Sequence, residues 1–325
     1  MKFRFRRVDW EYASVFRISY RTQRYAETVL VELEDHGNRG RGEALGVSYH
    51  GETVDSMQEQ LASVQRDVTR GITFEDLQAL LPPGGARNAL DCALWDLEAK
   101  RHGRRAWQLA GLPAVQPLRT AYTLGLDTLE STARAAAAAT QYSLLKLKLN
   151  GDGDVERVAS VREARPDVEL IVDANQAWDE RQLRRITPQL AGLRVKLIEQ
   201  PLPLGKDGVL AAFDSPIPLC ADESCQTSQS VESALGKYQF VNIKLDKTGG
   251  LTEALRLVRA AKQAGLKLMM GCMGGSSLSM APGFVVGQWC DVIDLDGPLL
   301  AKSDVPDAIR YEGNRMFAPE ARLWG

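Results

Sequence analysis

The chain has 325 residues, 44% hydrophobic and 25% charged, an ordinary globular composition that excludes a disordered or fibrous protein. Forty basic against forty-two acidic residues leave a net charge of −2, too small to hold nucleic acid or a membrane surface by bulk charge, and it leaves a homo-oligomer open. No apolar run approaches the ~18 residues of a membrane span, the start Met1–Arg7 does not read as a secretory signal, and five cysteines without a CxxC pair predict neither a zinc site nor a disulfide framework, so a reducing cytoplasm is expected.

In chain order, residues 2–9, about 14–20, 27–35 and 41–45 read as strands, with a hairpin turn at Asp35-His36-Gly37-Asn38. Helical stretches come next, at about 53–69 and 86–102. The second carries Leu90, Ala93, Leu94 and Leu97 at helical spacing and ends at Gly103. Strands and then helices, without βα alternation, predict a small α+β domain over residues 1–115.

From 116 the texture changes. Short apolar runs at Leu118–Leu124, Leu144–Leu149, Glu169–Val172, Val195–Ile198, Ile217–Cys220, Phe240–Lys244, Lys267–Met270 and Val292–Asp294 alternate mostly with helical patterns such as Leu251–Ala264. Eight such strands predict an α/β fold, a (β/α) barrel over residues 116–300. Residues 301–325 are polar and expected to return to the first domain.

The polar residue at or just past the end of each apolar run after the first is Lys148, Asp173, Glu199, Asp222, Lys244, Cys272 and Asp294 in turn. The steps are about one βα unit each, so in a barrel these side chains share one mouth. Three converging carboxylates repel unless protonated or bound to a metal, and an all-oxygen set suits a hard cation, most simply Mg²⁺. Lys146 and Lys148 lie two apart on one strand and therefore share a face; the neighbouring leucines fill the helix side, which turns both lysines inward. Lys244 sits alike in Val241-Asn242-Ile243-Lys244-Leu245. A lysine beside a cation has a lowered pKa and serves as a base at neutral pH. His36, His50 and His102 fall in a turn, a polar loop and a helix end, and no HExxH motif occurs, so acid/base work is assigned to Lys, Asp, Glu or Cys.

The ordered set Lys146-Leu147-Lys148, Val172-Asp173-Ala174-Asn175, Ile198-Glu199-Gln200-Pro201, Ala221-Asp222-Glu223-Ser224 and Asn242-Ile243-Lys244 resembles the enolase superfamily, muconate-lactonizing subgroup. Asp294-Leu295-Asp296 is similar to the Asp-x-Asp of its dipeptide epimerases, and Ala86–Asp91 and Lys244–Gly250 strengthen the likeness. The resemblance implies a (β/α)7β modified TIM barrel under an α+β capping domain. It implies Asp173, Glu199 and Asp222 as Mg²⁺ ligands and Lys148 and Lys244 as the acid/base pair. Thr123, Lys146 and Cys272 would contact the substrate, and Asp294 and Asp296 would hold a dipeptide ammonium. A loop near Arg21 and Arg24 would face the substrate side chain; the two arginines compete for one role, here given to Arg24. The implied activity is 1,1-proton transfer at the α-carbon of a dipeptide's C-terminal residue, with an Ala-Glu dipeptide of murein metabolism the expected substrate. An o-succinylbenzoate synthase or cycloisomerase on the same scaffold is the rival, disfavoured by the aspartate pair; a non-catalytic binding barrel is the rival of another class, disfavoured because no ligand or lysine is missing.

Overall fold

A computed structural model describes residues 1–325. The alternating run from Lys2 does not stop near residue 9. Strand β1 (Lys2–Ile18) is continuous, runs antiparallel to β2 (Arg21–Asp35), and β2 pairs with β3 (Asn38–Leu45). The β1–β2 register is regular from Lys2↔Glu34 to Glu11↔Tyr25 and resumes shifted at Phe16↔Gln23. Residues 12–15 are thus a bulge, and the expected gap between two strands is this bulge. A bulge bends its strand and re-aims the side chains on its far side. There the hairpin tip meets later parts of the chain: the Leu126 N–H donates to the Arg17 carbonyl (2.9 Å) and the Ser19 hydroxyl to the Asn175 carbonyl (3.1 Å).

Helices α1 (Val54–Ser63), α2 (Gln65–Arg70), α3 (Phe74–Leu80) and α4 (Gly85–Arg101) come after the sheet. Val29, Val31 and Leu33 of the sheet share one apolar core with Met57, Leu61, Leu77 and the expected stripe Leu90, Ala93, Leu94 and Leu97. Sheet and α4 pack backbone to backbone. A Cβ on Gly40 or Gly42 would stand 2.2 or 2.1 Å from the carbonyl oxygens of Ala93 and Ala89, so only glycine fits there.

The first predicted barrel run, Leu118–Leu124, is split. After α5 (Ala106–Leu109), its start, β4 (Leu118–Arg119), pairs with β14 (Arg315–Met316), which pairs with β13 (Tyr311–Glu312), and the three make a small separate sheet. The barrel then reads β5 (Tyr122–Leu124), α6 (Leu129–Ala138), β6 (Leu144–Lys148), α7 (Asp154–Ala164), β7 (Glu169–Asp173), α8 (Glu180–Gly192) and β8 (Val195–Glu199). A short 3₁₀ turn leads to β9 (Leu219–Ala221); α9 (Val231–Ala234), β10 (Phe240–Lys244), α10 (Leu245–Thr248), α11 (Leu251–Gln263), β11 (Lys267–Gly271), α12 (Ser277–Gly287), β12 (Val292–Ile293) and α13 (Gly297–Leu300) complete it. Strands β5 to β12 pair in sequence order, each parallel to the next, and the Thr120–Ile293 bridge brings the ends together. No helix is long and apolar enough to cross a membrane.

Buried polar contacts tie the N-terminal layer to the barrel. The Arg87 guanidinium donates to the Thr248 (2.7 Å) and Gly249 (3.1 Å) carbonyls, Asn88 to Asp246 (2.9 Å), and the Thr252 N–H to Asp91 (2.9 Å). The two motifs Ala86–Asp91 and Lys244–Gly250, far apart in sequence, are therefore opposite sides of one seam. Glu43 of β3 accepts from the Ser276 N–H (2.8 Å) and hydroxyl (2.9 Å) at the start of α12. Chain after residue 300 also reaches the first layer: Arg41 donates to the Arg322 and Leu323 carbonyls at 2.6 Å.

Candidate active site

Alternation along the barrel strands sorts the interior into layers. Ala121, Leu144, Ile171, Leu197, Cys220, Phe240 and Met269 form an apolar floor. Two residues further along, the same strands present Thr123, Lys146, Asp173, Glu199, Asp222, Asn242 and Gly271, with Asp294 after β12. Leu145, Leu147 and Leu149 face the outer core, as expected for inward-facing lysines.

The charges in this layer compensate one another. The Lys146 ammonium lies 2.6 Å from Glu199, 2.7 Å from Asp294 and 3.3 Å from Asp173. Lys148 meets Asp173 at 2.6 Å, and Lys244 meets Asp222 at 2.7 Å and Glu199 at 3.6 Å. Asp222 is also gripped from behind by Lys247 at 2.6 Å, a side chain with no exposure. Asn242 donates to Glu199 (2.7 Å), and the Asn175 N–H donates to Asp173 (2.9 Å). Parity could have found Asn242, since it shares a strand face with Lys244. Lys247 gave no signal, because it lies on a four-residue helix too short to show a period.

Burial pushes the Asp173 pKa up, but Lys148 and Lys146 outweigh it and hold the group at about 2. Asp222 is likewise held well below the ordinary range, burial being overcome by Lys244 and Lys247. Burial, then Asp173, raises Glu199. Glu223, buried beside Asp222, is pushed to about 8 by burial and by Asp222. Asp296 is pushed to about 7 by burial and by Asp294. The expected lowering of the lysines is not what these contacts produce. Burial pulls Lys146 and Lys244 down, yet the carboxylates around them win and hold both well above the usual lysine value.

The donor set fits a divalent cation. Glu199 Oε2 and Asp222 Oδ1 are buried without a directed hydrogen bond, as are Glu223 Oε2 and Asn175 Oδ1 next to them. Six carboxylates (Asp173, Glu199, Asp222, Glu223, Asp294 and Asp296) face four lysines (Lys146, Lys148, Lys244 and Lys247), which leaves two negative charges if all are ionised. As the side chains stand, no three acidic groups converge on one point, because the ligand candidates Asp173, Glu199 and Asp222 are each drawn onto lysines.

Above this layer lies a cavity of about 80 Å³ walled by Thr123, Lys148, Asp222, Lys244, Cys272, Asp294 and Asp296. The Thr123 N–H donates to Asp296 (2.6 Å) and its hydroxyl leans on Asp294 (3.4 Å). Burial raises the Cys272 thiol pKa. The hairpin tip adds Phe16, Ile18, Tyr20, Arg21 and Gln23 to the wall. Two of the expected substrate contacts lie outside the lining of this cavity. Arg24 does not reach the cavity: on β2, Arg21 and Gln23 face it, so Thr22 and Arg24 point to solvent and are exposed. Lys146 does not line the cavity either. It is enclosed one level below by Asp294, Glu199 and Asp173, so its contacts are those carboxylates.

Known proteins resemble this chain over nearly its whole length. Residues 2–111 match the family model described as mandelate racemase / muconate lactonizing enzyme, N-terminal domain, and residues 128–321 that described as enolase C-terminal domain-like. The L-Ala-D/L-Glu epimerase of Escherichia coli (strain K12) is 41% identical over 304 residues, 93% of this chain and 95% of that protein. The N-acetyl-D-glutamate racemase of a Pseudoalteromonas species is 40% identical, over 91% of this chain and 95% of its own. Among solved structures, an enolase family member from Agrobacterium tumefaciens with homology to dipeptide epimerases, bound to sodium and L-Ala-L-Glu, superposes with a TM-score of 0.97 at 39% identity, covering 99% of both chains. The dipeptide epimerase of Methylococcus capsulatus, complexed with Mg and L-Arg-D-Lys, gives 0.90 at 30% identity, covering 98% of this chain and 97% of that one.

Proposed function

The chain belongs to the enolase superfamily, in its mandelate racemase / muconate lactonizing enzyme branch, and from that premise we propose that it is a Mg²⁺-dependent dipeptide epimerase acting on Ala-Glu dipeptides. The observation that carries the reading is the pairing of two lysines on opposed walls with two aspartates at one end of a single cavity.

Lys148 ends β6 and Lys244 ends β10, four strands on in a barrel of eight, so they face each other across the mouth. An α-carbon held between them meets one lysine on each face. The unprotonated lysine takes the α-proton, and the protonated one across the cavity returns a proton to the other face, inverting the centre; a cation that drew Asp222 and Glu199 to itself would weaken the carboxylate hold that keeps Lys244 protonated. Asp173, Glu199 and Asp222 would hold the cation, which when bound supplies Lewis-acid stabilisation to the charge that gathers on the substrate carboxylate as the proton leaves. Lys146 neutralises Glu199 and Asp294 from below and fixes their direction. Thr123 orients Asp294 and Asp296, which take the free ammonium of the N-terminal residue, and Arg21 reads the acidic side chain. Cys272 borders the dipeptide.

N-acetylglutamate racemisation is the second reading, because one relative carries that name and both substrates are acylated glutamates. The aspartate pair favours the dipeptide, since an acetyl group has no ammonium to offer it. One-dimensional NMR in D₂O separates the readings. Loss of the α-proton signal from L-Ala-L-Glu, at least tenfold faster than from N-acetyl-L-glutamate, supports the dipeptide; the reverse order supports the racemase. We also read the chain as residues 1–115, 116–300 and 301–325, and place the enzyme in the cytoplasm on murein-derived peptides; five unpaired cysteines fit a reducing compartment.

A further inference from the structure

Tyr49 stands in the cavity wall without a part in the chemistry above. It lies in a 3₁₀ turn (Ser48–His50) between β3 and α1. Its hydroxyl oxygen is buried and makes no hydrogen bond. A buried hydroxyl without a partner costs free energy in the folded chain, so its position calls for a reason. The turn that carries it is held from several sides. Glu52 accepts from the Val47 N–H (2.9 Å) and the Gly85 N–H (2.8 Å), and His50 Nε2 lies 2.8 Å from Gln226 Oε1, beyond β9. The Tyr49 and His50 rings meet edge to face, with centroids 4.7 Å apart. On the same wall Asn175 Oδ1, Asp222 Oδ1 and Glu223 Oε2 are also buried without a hydrogen bond, but these are carbonyl or carboxyl oxygens, which suit a cation. Tyr49 alone among them is a hydroxyl with a proton to give.

We propose that the Tyr49 hydroxyl is a substrate-binding group that donates a hydrogen bond to the α-carboxylate of the reacting residue. The inference rests on the reading of the site as one that exchanges an α-proton between Lys148 and Lys244. Asp222, Lys244 and Glu223 are the charged groups that act most strongly on this hydroxyl, so it stands at the reacting end of the cavity. Burial, then Asp222, push its pKa above the ordinary phenol value, which keeps the proton on the oxygen. The α-carboxylate is one bond from the α-carbon, and negative charge gathers on its oxygens as the proton leaves. A donor fixed in advance beside those oxygens binds more tightly at that moment than before it, so the bond raises kcat and does more than lower KM. Arg21 reads the side-chain carboxylate, so the two residues act on different groups of the substrate.

The test is Y49F in the whole Mg²⁺-loaded protein, assayed by α-proton exchange of L-Ala-L-Glu. We expect kcat/KM to fall at least tenfold, with most of the loss in kcat. Because the hydroxyl has no partner in the folded chain, Tm without substrate should stay within about 2 °C of the unmutated protein. Adding Y49F to R21A should cost the same factor again, since the two side chains bond different carboxylates. A smaller loss, a loss in KM alone, or a Tm lower by more than about 2 °C overturns the proposal. So does a factor that drops below threefold in the R21A background, which would put the hydroxyl on the side-chain carboxylate. N-acetyl-L-glutamate keeps failure of the dipeptide reading separate, because it bears the same α-carboxylate. If it alone exchanges, the dipeptide reading falls and Y49F is judged on it by the same limits; if neither substrate exchanges, both are overturned.

Discussion

Arg21 and Arg24 differ by three positions and by everything that matters for recognition. Arg21 shares the cavity face of β2 with Gln23, and Arg24 is on the solvent face. A guanidinium bonded to a substrate carboxylate contributes about 1.5–3 kcal/mol. R21A should therefore lower kcat/KM for L-Ala-L-Glu by roughly ten- to more than a hundredfold, and R24A should stay within twofold; equal losses in the two variants would remove the assignment. D296N isolates a charge in the same way. The asparagine oxygen can still accept the Thr123 N–H, so the change removes the negative charge while keeping the local bond. We expect a fall of similar size for L-Ala-L-Glu and almost none for N-acetyl-L-glutamate, measured in one exchange assay. The inward lysines were legible in the sequence because strand parity is a strict rule. The choice between the arginines was not, because residues 21–26 read as a loop, which assigns no faces, whereas they are the start of β2.

Carboxylates buried in the seam between sheet, helices and barrel make stability depend on pH. Glu43 of β3 is pushed to about 7, chiefly by burial and against the two bonds from Ser276; burial also pushes Asp246 of α10 to about 7, against its bond from Asn88. Each group binds its proton more tightly folded than unfolded, where an ordinary carboxyl titrates near 4. Their contribution is thus full below about pH 4 and is lost as pH rises through 7, by up to about 3 kcal/mol per group. Urea titrations should show lower unfolding free energy at pH 8 than at pH 5, and E43Q should flatten that slope; an unchanged slope would place the titrating group elsewhere. At this scale the sequence showed the α4 stripe plainly, since Leu90, Ala93, Leu94 and Leu97 recur at helical spacing within one 17-residue helix. It hid α3, whose seven residues hold one buried leucine, although the Thr73–Asp76 capping box marks the start. The seam was invisible as a contact: Arg87 and Thr248 are far apart in the chain, and only the fold makes them partners.

For the molecule as a whole, the excess of carboxylates over lysines at the mouth links folding to cation binding. A ligand at about a hundred times its dissociation constant adds about 2.7 kcal/mol to stability, or roughly 5 °C in Tm for a chain of this size. Saturating Mg²⁺ should raise Tm by that amount over protein treated with a chelator, and chelation should abolish epimerisation until Mg²⁺ is restored. No shift in Tm and full activity after chelation would refute the metal assignment. The barrel itself was readable from eight apolar runs at one spacing. Its first run misled, because Leu118–Leu124 reads as one strand but serves two sheets.

The bulge in β1 has a bearing on how such a site can change over generations. A shift of one residue in a strand exchanges its two faces. The regular pairing of Lys2–Glu11 with Tyr25–Glu34 anchors the sheet on one side of the bulge, while Phe16, Ile18 and Tyr20 stand over the cavity on the other. Loss of a single codon within residues 13–15 would bring Arg17 and Ser19 toward the cavity in their place and leave the packed core of the sheet untouched. Insertions and deletions here, rather than substitutions, offer the shorter path to a different diet of peptides.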